Sequence, residues 1–309
     1  MNMHIKVSGE YNLVVTRPDG STIETGWFDN LILDQGLDYM GEDSVQYGPV
    51  LVNNCHVGTG TSIPLVTQTS LDARIAGTGY SYWGNYSPPA VTVNLGTPTY
   101  ASQTTYTFVF SQGAVVGNIT EVGVGGDAGN GTDLFSRALI LDGGGSPTSM
   151  TLLLIDQLTV YYRIKFLPTL TDSTGSVSIS SISYGYTGRF ADAGGTLVYF
   201  SGRAVVVGIT VITVYAAGSA LGAITSHPSG SATGGATYTK ASYTPGSYYR
   251  DSTCSMSVGQ ANVTGGIQGI LIQSGGSGVI NYQYHFDTPI PKDNTKVLSL
   301  TFRISWGRV

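Results

Sequence analysis

An all-β fold of two β-sandwich-like modules, with only one or two short helices in the first, is what this chain of 309 residues predicts. Three observations carry that expectation. Residues 158–166 and 298–306 align without a gap, matching at Leu158/Leu298, Val160/Leu300, Tyr162/Phe302, Ile164/Ile304 and Phe166/Trp306. Strict alternation of apolar and polar residues is the pattern of a half-buried strand. Charged residues make up only 11% of the chain, well under the roughly 25% usual in soluble domains. Finally, 43 glycines and 20 tyrosines accompany abundant Ser, Thr and Val, a composition of short strands joined by turns.

The length exceeds what one hydrophobic core usually serves, so two modules are expected. Residues 167–175 bracket a polar run with Pro168 and Gly175, which sets the division at 168/169. Module 1–168 then closes with one of the twin strands and module 169–309 with the other. Residues 118–124 have a looser counterpart in 262–269.

The opening alternates through 5–9 and 11–16, then turns at 17–20, where Pro18 and Gly20 suit a hairpin. Residues 21–28 return as a second strand. A short helix is expected over 31–40, interrupted or capped near Gly36 and Gly41. Another is expected over 69–76, with a hydroxyl cap and Gly77 as its stop. Residues 104–110, 119–125 and 134–141 alternate as sandwich strands, and 127–133 is a solvated turn without the ligand ladder of a calcium loop. Beyond the division, strands are expected at 176–183, 196–200, 205–215, 267–272 and 298–306. The polar run 230–252 is expected to be an excursion loop or an arm reaching a neighbouring copy.

Composition also narrows the function classes. With 41% apolar residues and a net charge of −5, the chain can support a core rather than remain disordered. Residues 1–171 hold 14 acids and 6 bases (−8), and 172–309 hold 5 acids and 8 bases (+3), a split suited to contact between neighbouring copies. Lys and Arg form no cluster, so nucleic acid is not an expected partner. Cys55 and Cys254 belong to no metal or redox motif and are expected to be buried free thiols, as in a reducing cytoplasm. The first ten residues lack the apolar core of a signal peptide. The uncharged run 204–224 is long enough to cross a bilayer, but its β-branched first half and its 216–220 break fit buried strands better.

No chemical motif stands out. His4, His56, His227 and His285 share no metal-ligand spacing, and Gly58–Gly60 lacks the Lys and helix of a phosphate loop. No catalytic centre, metal or cofactor is expected. A polysaccharide-cleaving enzyme would need clustered carboxylates in a groove. Two charge-poor aromatic clusters are the candidate interface or glycan contacts: Tyr80, Tyr82, Trp83 and Tyr86 in one, Tyr243, Tyr248 and Tyr249 in the other.

Six short elements occur in order over about 28–167: Asn30, Ile32, Gly36 and Leu37; then Val57–Gly60; then Thr67 and Leu71. They continue with Ile119, Glu121 and Gly123; Leu134, Phe135 and Arg137; and the strand 158–166. This ordered set resembles β-modules of tailed-bacteriophage virion proteins. The second half keeps the closing strand but lacks the Gly-Leu and Val-Gly-Thr-Gly elements. The resemblance implies a structural component of the particle in the tail fibre, collar or baseplate region, assembled in the host cytoplasm. A head decoration or head-fibre protein, and an adhesin contacting host surface glycan, remain alternatives. The implied partners are copies of itself and other virion proteins of the tail or neck, without membrane insertion. No catalytic residue comes with the resemblance.

Overall fold

The computed structural model describes residues 1–42, 52–79, 92–95, 101–126, 131–191, 209–274 and 280–309. The first half contains β1 (Asn2–Thr16), β2 (Thr22–Glu24), β3 (Phe28–Asp29), β4 (Leu31–Ile32), α1 (Asp34–Gly41), β5 (Asn54–Gly58) and β6 (Arg74–Gly79). It continues with β7 (Thr92–Leu95), β8 (Ala101–Phe110), β9 (Gly117–Ile119), β10 (Glu121–Gly125), β11 (Leu134–Leu139), β12 (Met150–Leu152) and β13 (Gln157–Pro168). The second half adds β14 (Ser173–Ile179), β15 (Ile182–Phe190), β16 (Ile209–Ala216), β17 (Ala232–Gly234) and β18 (Thr237–Lys240). Its last strands are β19 (Tyr249–Met256), β20 (Ile267–Ser274), β21 (Ile280–Ile290) and β22 (Leu298–Arg308). The chain is all-β, as its alternation predicts.

The twin strands flank one hub. β1 pairs antiparallel with β13, Tyr11 opposite Tyr162, and parallel with β22, Ile5 opposite Trp306. The main sheet runs β18-β19-β22-β1-β13-β8-β7, so it crosses the 168/169 division. Its inner face is mainly apolar, with Thr104, Arg250 and Ser252 as buried polar members of the flanking strands. Met3, Ile5, Val7, Tyr11, Leu13 and Val15 of β1 lie beside all ten alternating residues of the twins. At about 2 kcal/mol for each buried large side chain, these outweigh outer-face ion pairs such as Glu10 with Arg163 and Lys165. Such half-buried surface pairs are still partly solvated, and each is worth about 1 kcal/mol. The inner face therefore decides the register.

Two smaller sheets cover that face. The five-stranded sheet, β4-β11-β10-β5-β6, meets it where the Tyr11 hydroxyl lies 2.8 Å from Ser136 Oγ. The six-stranded sheet, β14-β15-β21-β20-β16-β17, meets it through the Tyr284 ring, 5.5 Å from that of Phe302. One continuous core cluster joins all three.

Several local expectations are corrected. Residues 2–16 form one unbroken strand rather than two, because β22 and β13 pair with it in overlapping stretches. The expected strand 21–28 is two short pieces, β2 and β3, both paired with β1. The expected helix at 69–76 is instead a turn leading into β6, held by the buried carboxylate of Glu121. The helix near 31–40 forms as α1, with Gly36 inside it because a side chain there would strike the Phe135 carbonyl. Residues 230–252 are not one continuous loop: β17 joins the six-stranded sheet and β18 the main sheet. Residues 209–216 of the apolar run are strand β16, and no described helix is long and apolar enough to cross a membrane. The expected strand at 196–200 and most of the turn at 127–133 lie outside the described residues.

Candidate functional site

Tyr80, Tyr82, Trp83 and Tyr86 lie outside the described residues. The second aromatic cluster is described, and much of it is used within the chain. The Tyr243 hydroxyl donates to Asp38 Oδ1 at 2.6 Å, and its ring lies 5.6 Å from that of Trp306. Burial first, then the Asp38 carboxylate, pushes the Tyr243 phenol well above its ordinary range. The Gly246 amide donates to the same Asp38 oxygen, and the Tyr248 carbonyl accepts from the Trp306 amide at 2.9 Å. The Trp306 indole in turn donates to the Leu37 carbonyl. Residues 243–248 thus clamp α1 onto the end of β22. Tyr249 is the outlying member: its ring is partly exposed and stacks under Arg303 at 3.7 Å. Arg303 is also held by both oxygens of Asp251.

A second constellation is buried in the first half. On β10, Val122 and Val124 join the main core, so alternation turns Glu121 and Gly123 to the opposite face. There Leu33, Leu71 and Leu134 form a small separate cluster under the segment 59–73. Glu121 Oε1 accepts the Gly60 and Ala73 amides at 2.9 and 2.8 Å. Its Oε2 accepts the Asp72 amide and both Nε and Nη2 of Arg137. Arg137 further donates to Gln68 Oε1, the Ser62 carbonyl and Asp72 Oδ2. Neither Glu121 nor Arg137 exposes any side-chain surface.

This network explains the missing helix. In a helix over 69–76, the Ala73 amide would bond the carbonyl of residue 69, and the Asp72 amide, in the first turn, would fall to the capping hydroxyl. Here a buried carboxylate takes both, and Asp72 is turned toward Ser62 and Arg137 instead. A buried carboxylate left without such donors would be costly, so the interaction is strongly enforced. The glycines of the 57–60 element make room for it. A Cβ on Gly60 would lie 2.5 Å from both Glu121 Oε1 and Asp72 Cβ, and one on Gly58 would lie 2.6 Å from the Ala73 carbonyl oxygen.

The six resembling elements therefore converge. Gly36 touches Phe135; Gly58 and Gly60 touch Glu121; Leu71 packs on Leu134; Glu121 binds Arg137. Asn30 Nδ2 reaches the Tyr162 hydroxyl, which also contacts Ser136 Oγ. In the sequence Glu121 and Arg137 stand in separate elements, and their pairing was not foreseen. The available signal was a charge at an apolar stretch of strand in a chain so poor in charge.

Chemically, the network leaves neither Glu121 oxygen without donors. The nearby cleft, of about 250 Å³, is lined mainly by Leu31, Ile63, Pro64, Ala138, Leu139 and Pro147, with Asp29 as its acidic group. Among the described residues no cluster of His, Cys, Asp or Glu could hold a metal ion. Cys55 and Cys254 are free and buried, and burial raises the Cys254 thiol to about 12. Apolar surface is left uncovered elsewhere: Leu153, Leu154 and Ile155, at one turn, are 50%, 69% and 53% exposed. Comparison with family models, curated proteins and solved structures gave no match.

Proposed function

We propose that this protein is a structural component of a tailed-bacteriophage particle, placed in the tail fibre, collar or baseplate region, and that it works as a multimer. The observation that carries the reading is the convergence on Glu121 and Arg137. Four of the six elements that resemble virion β-modules as an ordered set, at 57–60, 67–71, 119–123 and 134–137, supply the parts of a single buried lock. The other two join it beside Arg137, through Gly36 at Phe135 and through Asn30, Tyr162 and Ser136. Such a lock suits a scaffold held in one shape. The exposed turn at 153–155 supports a multimer, since uncovered neighbouring apolar side chains mark contact sites.

The adhesin alternative relied on outward aromatic loops. Tyr243 and Tyr248 instead pack toward α1 and β22, which withdraws them as outward contacts for glycan and for a neighbouring copy alike. Quantitative mass spectrometry of density-purified particles, with antibody labelling under the electron microscope, tests the proposal. The expected result is a fixed copy number per particle and label on the tail. Label on the capsid would transfer the assignment to a head decoration, and absence from particles would overturn it.

A further inference from the structure

The edge strands of a sheet present unpaired N–H and C=O groups, and proteins usually blunt them with charge, proline, shortness or a covering segment. Most described edges here are blunted. β18 is short and carries Lys240, β6 carries Arg74, and β4 and β17 are only two and three residues long. β14 differs. It is seven residues long, exposed along most of its length, and has no charge or proline. Among the described residues its only strand partner is β15.

The hairpin geometry shows which groups have no partner among the described residues. Ser180 and Ser181 both have positive φ, 48° and 66°, forming a two-residue turn of the kind that fits tight hairpins. The flanking pair, Ile179 and Ile182, then exchanges backbone hydrogen bonds, and alternation gives the same role to Val177, Gly175 and Ser173. The amides and carbonyls of Thr174, Ser176 and Ser178 therefore point away from β15. Val177 and Ile179 pack toward the core, whereas these three side chains are exposed.

We propose that β14 pairs antiparallel with β14 of a second copy, about a two-fold axis through Ser176. That register sets Ser176 against its own copy and Thr174 against Ser178 of the other chain. All three free N–H and C=O pairs on each strand are satisfied. In an isologous contact, a group on the axis meets itself, so a charge there would be repelled. Residues 173–188 contain none, and Asp172 at the base is neutralised by Arg189 at 2.6 Å. Joining the edges would merge two six-stranded sheets into one. The inference rests on the multimeric reading above for its choice of a second copy as the partner.

The test uses the full chain. Ser176→Pro removes an N–H that the hairpin does not use, so the melting temperature should hold. Sedimentation velocity should show the dimer dissociation constant rising by at least about tenfold. Ser176→Cys supplies a readout that needs no proline. Hydrogen-bonded antiparallel partners have Cα atoms about 5.5 Å apart, within disulfide reach, and the native cysteines are buried. Under mild oxidation it should form a disulfide-linked dimer at least about tenfold faster than a Ser299→Cys control on the exposed face of β22. Unchanged association of Ser176→Pro, or equal cross-linking of the two cysteine variants, overturns the inference. If wild type associates regardless of Ser176, the multimeric reading survives on another surface. If nothing associates or cross-links, β14 pairing is wrong, and the virion assignment is still decided by particle content.

Discussion

The five-stranded and six-stranded sheets pack on the same face of the main sheet, yet they are organised by different chemistry. In the five-stranded sheet, a buried carboxylate, a buried guanidinium and close glycine contacts fasten a segment with little ladder of its own. In the six-stranded sheet, Tyr186, Phe190, Tyr282, Tyr284 and Phe286 meet edge-on, with ring centroids 5.6–6.4 Å apart. There the hydroxyls of Tyr282 and Tyr284 donate to the His4 and Asn2 carbonyls at the start of β1. An irregular segment must find acceptors for its amides, and one carboxylate supplies them at 60, 72 and 73. A regular ladder satisfies its own backbone, so rings and single hydroxyls suffice to dock it.

That contrast predicts where the fold is brittle. Arg137→Met strands a buried carboxylate, and urea denaturation should show a loss of about 3–5 kcal/mol. If the loss is no larger than that of a single docking hydroxyl, the contrast fails. Gly60→Ala, which forces a methyl against Glu121 and Asp72, should cost about 1–3 kcal/mol, with the glutamate network loosening in hydrogen exchange at residues 72 and 73. Tyr284→Phe keeps the ring and removes one hydrogen bond, so about 1 kcal/mol is expected from the same urea titration.

The smallest effect concerns acid. Hydrogen bonding to Arg189 holds the Asp172 carboxyl below its ordinary range, and Arg303 does the same for Asp251. A depressed folded value means stability present above the unfolded value of about 3.9 and lost as pH falls through the folded one. Both pairs are partly exposed, so each is worth less than about 1 kcal/mol. Asp172→Asn and Asp251→Asn should slightly flatten the acid limb of the urea midpoint measured against pH. A steeper limb in either variant would contradict the assigned direction.

How much of this was legible beforehand varies by residue. The twin strands were readable because Leu158–Phe166 and Leu298–Trp306 alternate without interruption, and all ten inward residues are buried. α1 was readable in outline from Leu37 and Met40, both buried. The turn at 69–73 was not, since its local pattern suits a helix and its true partner, Glu121, lies some fifty residues away. Tyr243 was read as an interface or glycan contact because it stands in a charge-poor, loop-like aromatic cluster. Its receptor, formed by Asp38 and Trp306, comes from both ends of the chain.

The sequence by itself determined that the chain is all-β and which side of each long strand faces inward, because alternation with period two is a local property of extended backbone. Only the tertiary structure decided which strands lie side by side. The twins carry nearly the same pattern, yet β13 lies antiparallel to β1 and β22 parallel to it. Alternation states a strand's face but says nothing of its neighbour or direction, and both follow from packing between residues far apart in the chain. For the same reason, Glu121 and Arg137 became one lock only when β10, β11 and the segment 59–73 were brought together. A buried charge acquires its meaning from the groups that surround it in space.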